Sequence, residues 1–364
     1  MERYYQAALT MVPGLGNSRL NSLVAFFGSA RQAWMASRRD LFLCGCLDET
    51  IGNNILAQRE KIDIHKMAAA WEQKGIGVVC AADAAFPDRL RRIFDPPQVL
   101  YYRGRLPVDE LLIAVVGARR ASAYGRNAAL SLAAGLAAAG AGVVSGAARG
   151  VDSAAHEGAL SAGGYTVAVL GCGVDVVYPP ENGRLLARIA EQGAIVSEYW
   201  PGTDPLPHHF PVRNRIISGL ARGVAVVEAA EKSGSLITAD WALEQGRDVF
   251  AVPGSIFSAT SAGANKLIKQ GAKPVTAAAD ILEEYGLTRA ADGRPGRPEP
   301  AGDEGRVWAA LSCDTPLTVD ELIMRVGLPA PVVTYILLQL VLKDLAAEFG
   351  GQRYVRLPGR ESGE

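Results

Sequence analysis

The chain has 364 residues, of which 49% are apolar and 21% charged, and its formal net charge is −1. That length holds two or three domains, and the even charge balance excludes a global basic footprint, so any anion site has to be a local concentration of arginine. Five cysteines (Cys44, Cys46, Cys80, Cys172, Cys313) form no Cys-x-x-Cys pair, which argues against a disulfide framework or zinc ribbon and for reduced thiols in the cytoplasm.

Residues 1–65 read as a small helical domain of helix-hairpin-helix (SAM-like) type. Pro13-Gly14-Leu15-Gly16-Asn17 separates two helical patterns. Its glycines would turn the chain tightly and leave backbone N–H groups where a DNA phosphate can dock. A weaker second copy, Leu43-Cys44-Gly45-Cys46-Leu47, has Leu47 where the first has Gly16. The alternative is a packing module without DNA contact.

Residues 66–288 read as an α/β core. A helix is expected over Met67–Lys74, and strands over Gly77–Cys80 and Val99–Tyr102. Leu111–Asp152 then reads as strand, glycine loop, helix, strand, glycine loop, one βαβ unit. The uncharged stretch Asn127–Ala148 is long enough to span a membrane. Its alanines and glycines are better explained by a buried helix, a turn and a strand. Further strands over Thr166–Leu170, Ala194–Val196, Val224–Val227 and Val249–Val252 alternate with helices over Asp152–Ser161, Asn182–Gln192, Asn214–Ala221 and Thr238–Gln245. Apolar strands alternating with helices predict a parallel sheet covered on both faces, an extended Rossmann-like core.

The polar loops of this core all follow strands, so they gather on one edge. Gly117 and Arg119-Arg120 with Ser122 follow the first strand of the unit. Gly146, Arg149 and Gly150 follow the second. Glycine permits close approach of a ligand and arginine presents a planar fork to phosphate. Arg213-Asn214-Arg215, placed at a helix start, would add two forks and an amide; the competing role is neutralisation of Glu198 and Glu228 within the fold. Lys232 precedes Ser233-Gly234-Ser235. Other chemistries fare worse. Gly171-Cys172-Gly173 lacks the third glycine of a dinucleotide fingerprint, so no cofactor is expected. His208-His209 has no third metal ligand nearby. Ser145, Ser197 and Ser235 have no obvious histidine base. His156 and Asp152 are better read as helix-start contacts than as catalysts.

Taken together, Gly117-Ala118-Arg119, Ser145–Asp152 with His156, Ala168–Asp175 with Tyr178-Pro179 and Asn182, Phe210–Arg215, Ser233–Ala239 and Gly263–Ile268 resemble the DNA-processing protein A family (DprA, also called Smf) over residues 66–285. The resemblance implies a non-enzymatic, cytosolic, dimeric protein. Such a protein binds single-stranded DNA and loads RecA onto incoming strands in natural transformation. Carried over, the DNA surface would use Gly117, Arg119, Arg149 and Gly150, with Arg213, Arg215 and Lys232 beside them. Tyr124 or Tyr178 could stack a base. An apolar surface around Leu267-Ile268 is a candidate dimer face. The rival is a nucleotide-binding enzyme of the related nucleoside-monophosphate glycosidase type, but Glu228–Thr238 lacks its Pro-Gly-Gly-x-Gly-Thr run.

Residues 289–304, rich in Gly and Pro, read as a linker. Residues 305–360 read as a helix-turn-helix with a wing, resembling a winged helix. Its expected second helix, Val332–Asp344, is poor in arginine and lysine. That composition favours protein contact over reading of duplex DNA.

Overall fold

The computed structural model describes residues 1–107, 110–287 and 300–357. Nine strands form one sheet: β1 (Gly77–Cys80), β2 (Val99–Gly104), β3 (Leu112–Val116), β4 (Gly142–Ser145), β5 (Thr166–Val169), β6 (Ala194–Ser197), β7 (Gly223–Val226), β8 (Asp248–Ala251) and β9 (Lys273–Pro274). Their order is β1-β2-β6-β5-β4-β3-β7-β8-β9. From β6 to β9 every pairing is parallel. The expected parallel core is present, and on one side two further strands extend it, β2 running antiparallel to β6 and β1 antiparallel to β2. These two strands are joined without a crossover helix long enough to return the chain in parallel.

Both faces of the sheet are covered, as the apolar runs require. Val144, Val167, Val224 and Ala251 face one layer with Ile216, Leu220 and Ala239. Ile113, Val143, Ala225 and Phe250 face the other, with Leu132, Leu136 and Ala155. The stretch 127–148 divides into helix Ala123–Ala138 and strand β4. Among the described residues no single helix is long and apolar enough to cross a membrane.

Helices from Glu2–Thr10 to Ile64–Gln73 pack at the β1 side of the sheet, where Trp71 meets Tyr101 edge-on at 5.3 Å. At the other end of the chain, most of the expected linker, residues 289–304, lies outside the described residues; its last three belong to helix Gly302–Ala310. Helices Val319–Val326 and Ala330–Leu342 follow. A small sheet, Leu317–Thr318, Arg353–Arg356 and Ala346–Glu348, completes the C-terminal module. Thr318 caps its helix through a reciprocal box with Glu321. The second helix begins at Ala330, two residues before the expected Val332, because Pro329 opens it.

Candidate nucleic-acid interface

The loops after β5, β4, β3 and β7 lie side by side at the carboxyl edge of the sheet, spread over about 15 Å at ordinary strand spacing. Glycines lock these loops to one another. Gly150 has φ of +78°, and a Cβ there would lie 2.3 Å from the Ala118 carbonyl and 2.7 Å from that of Arg119. Val151 N–H donates to Ala118 O at 3.2 Å. A Cβ on Gly117 would meet Val151 at 2.7 Å and Glu228 O at 2.9 Å, and one on Gly146 would meet the Arg213 guanidinium at 2.6 Å. The space left by Gly117, Gly146 and Gly150 is therefore filled by the protein. This corrects the expectation that these glycines admit a ligand.

What the locked loops present outward is arginine. Arg119 and Arg120 are both exposed, and the Arg119 guanidinium lies over the Phe210 ring, 5.1 Å from its centroid. Arg149 is exposed and forks onto Glu181, with Nη2 to Oε2 at 3.1 Å and Nε donating to Oε1. Lys232 is exposed on the turn after β7. Between Arg119 and Arg149 runs a narrow cleft of about 20 Å³, walled by Tyr178, Pro179 and Phe210. Tyr178 and Phe210 are themselves 5.4 Å apart. Phe210, the platform under Arg119, was missed as a site residue because nothing local in the sequence distinguishes it from a core aromatic. Tyr124, the other proposed stacker, donates its hydroxyl to Pro253 O at 2.7 Å.

Arg213, Asn214 and Arg215 are placed differently from expectation. Their helix starts at His209, not Asn214. Pro211 sits in its first turn, where no intrahelical N–H is needed. The three residues thus lie in the second turn, away from the free N–H groups. Arg213 is 3% exposed and donates to Gly146 O at 2.8 Å and to Val169 O. Burial pulls its pKa down to about 10 against the opposing charge of Asp152, whose own carboxyl burial pushes up. Arg215 is also buried. It clasps Glu198 at 2.8 and 2.6 Å and lies 3.6 Å from Asp95. Asn214 donates to Gly234 O at 3.2 Å. The two arginines are buried and tie loops and helix together.

Ser122 is also occupied. Its hydroxyl caps helix Ala123–Ala138 by accepting from Gly125 N–H at 3.1 Å and donates to Glu228 at 3.2 Å. Glu228 is buried and accepts further from Ser122 N–H at 2.9 Å and from the Thr260 hydroxyl. This network fills the crevice between β3 and β7, where the strand order reverses and a dinucleotide-binding sheet would receive its ligand. Glu198 is neutralised by arginine as anticipated, whereas Glu228 is held by hydroxyls and a backbone N–H.

The N-terminal hairpin turns toward the core. Asn17, the first residue of helix Asn17–Phe27, donates to Asp95 Oδ1 at 2.9 Å. Asp95 and Glu198 line the adjoining cleft with Arg19 and Arg215. The hairpin is thus tied to the core through the Asn17 side chain. The candidate dimer residue Leu267 is 7% exposed and belongs to the core.

The model of the DNA recombination-mediator protein A family matches residues 77–286, and that of the DprA winged helix domain matches 291–352. The chain belongs to the DNA-processing protein A family. Its sequence is 48% identical over 204 residues to the DNA processing protein DprA of Streptococcus pneumoniae, covering 56% of this chain and 72% of that one. The crystal structure of DprA from Streptococcus pneumoniae aligns with a TM-score of 0.69 at 38% identity, over 78% of this chain and 98% of that one. A DprA structure from Helicobacter pylori, described as revealing a unique single-stranded DNA binding mode, aligns with a TM-score of 0.52 at 30% identity, over 58% of this chain and 95% of that one.

Proposed function

We propose that the carboxyl edge carries a single DNA strand along Arg149, Arg119, Arg120 and Lys232. The observation that carries this reading is that these cations are exposed in a row on loops locked from behind. The cleft among them, about 20 Å³, is far below the ~300–1,000 Å³ of a small-molecule site. Such a surface suits an extended backbone, with arginines on phosphates and Phe210 or Tyr178 offering a face to a base. Gly117, Gly146, Gly150, Ser122, Arg213, Asn214 and Arg215 act behind the surface by fixing those loops. Arg149 exchanges Glu181 for a phosphate on binding.

The glycosidase alternative is disfavoured because both carboxylate oxygens of Glu228 accept hydrogen bonds from the protein. The protein works by binding, not catalysis, and incubation with nucleoside monophosphates should release no free base. It hands the strand to RecA in transformation as a cytoplasmic homodimer. Ile256 and Phe257, 84% and 93% exposed, are a better apolar contact than Leu267-Ile268. The test is binding of labelled oligothymidylate against salt and protein concentration, with RecA filament formation measured beside it. Salt-independent binding, or none, refutes the proposal. Sedimentation of Phe257→Glu tests the dimer face, and an unchanged mass removes it.

A further inference from the structure

At the opposite, amino edge of the sheet a second cationic site stands apart from the strand path. Arg89 comes from the short helix Asp88–Arg91, Arg222 immediately precedes β7, and Arg247 immediately precedes β8. With Arg92, Asp88 and Glu110 they line a cavity of about 440 Å³. Both of its carboxylates are ion-paired, Asp88 partly within the lining itself, to Arg92. Asp88 pairs with Arg91 at 3.5 Å and Arg92 at 2.5 Å, and Glu110 pairs with Arg105. The nearby Asp248 accepts the Tyr285 hydroxyl at 2.8 Å. Among the described residues, none of Arg89, Arg222 and Arg247 lies within ion-pair distance of a carboxylate.

This is more than a solvated face. Arg247 is pinned by its Nη2, which donates to Arg89 O at 3.2 Å and Gly219 O at 3.4 Å. Its Nε is buried and has no hydrogen-bond partner. Arg222 is held over the Tyr285 ring at 4.8 Å. Burial first, and then Arg89 and Arg92, pull the Arg247 guanidinium below its ordinary range. Three like charges facing one cavity, two of them held in place, repel one another. An anion bridging their forks removes that repulsion and completes their hydrogen bonds. The volume falls within the range of small-ligand sites.

We propose that this cavity binds a phosphate-bearing ligand of nucleotide size. The phosphates belong either to a free oligophosphate compound or to the backbone of a long strand wrapped around the domain. The experiment is calorimetric titration of the full chain with inorganic pyrophosphate, followed by binding of a short and a long oligothymidylate. Wild type should bind pyrophosphate, and Arg222→Gln should weaken it about tenfold, the worth of one charge-assisted contact. Arg119→Ala with Arg149→Ala should leave pyrophosphate binding intact, so failure here is distinguishable from failure of the strand path. Arg247→Gln is the stronger variant, but it also removes bonds to two carbonyls. The exposed Arg222 therefore serves as the variant that keeps the fold, checked by its melting curve. If Arg222→Gln weakens only the long oligonucleotide besides pyrophosphate, the strand supplies the phosphates. If it weakens pyrophosphate alone, the ligand is a free compound. Absence of pyrophosphate binding in wild type, or equal binding by wild type and the Arg89→Gln, Arg222→Gln double variant, overturns the proposal.

Discussion

Removing Arg119 and Arg149 together probes the strand path most directly. Each exposed guanidinium that meets a phosphate releases condensed counterions, and for single strands the logarithmic salt slope is about −0.7 per phosphate neutralised. With both guanidinium groups gone, the slope should be shallower by about 1.4, and affinity should fall most at low salt. The structure adds a second, opposite arm. Arg149 is forked onto Glu181, and this pair must open before the arginine reaches a phosphate. Glu181→Gln should therefore tighten strand binding, by about threefold for an exposed pair, and leave Arg119 untouched. Fluorescence anisotropy of a labelled oligothymidylate over a sodium chloride series reads both effects. A folded double variant with the wild-type slope would refute the placement of the strand. Glu181→Gln with unchanged or weaker binding would refute the exchange of Glu181 for phosphate.

Three other outcomes follow from the geometry. Gly150→Ala forces a side chain into positive φ and to within 2.3 Å of a carbonyl. It should lower the unfolding free energy by at least the ~1–3 kcal/mol of backbone strain, read as a lower urea midpoint, and a midpoint equal to wild type counts against the locked-loop account. His156 is buried, with Nδ1 2.7 Å from the Thr166 hydroxyl, and burial lowers its pKa to about 3. The unfolded chain takes up that proton near 6.5, so His156 contributes stability above that pH and loses it as pH falls toward 3. Between pH 7 and 5 the loss is about 2 kcal/mol, while the raised carboxyl of Asp152 acts in the opposite sense. His156→Gln should flatten this acid limb in denaturant titrations, and an identical limb in both proteins contradicts the assignment. Asn127 is buried on the helix after β3 and donates to Cys313 O at 2.5 Å and Arg356 O at 3.2 Å of the C-terminal module. Asn127→Ala should cost about 1–3 kcal/mol of docking and raise hydrogen exchange across 313–357; unaltered protection there would show that other interactions hold the module.

Much of the fold was legible because it rests on local periodicity. Strand β1 appears in the structure at its expected limits, and β3 and β4 fall where the expected βαβ unit of 111–152 requires, since a short apolar run needs no tertiary information. The rightful start of the Arg213 helix was not legible, because Pro211 looks like a breaker when its place in the first turn is unknown. Nor was the antiparallel side of the sheet, since an apolar strand carries no mark of its direction.

The site divides along the same line. Glycine beside arginine after successive strands, read from the chain alone, located the edge and its charge. Which of those arginines meet solvent was decided only by tertiary structure. Arg119 and Arg149 stand on loop crests, while Arg213 and Arg215, in a pattern equally rich in charge, are drawn inward by Gly146 O, Val169 O and Glu198. A guanidinium answers a carbonyl, a carboxylate or a phosphate with the same donors. Only packing settles which of them is within reach.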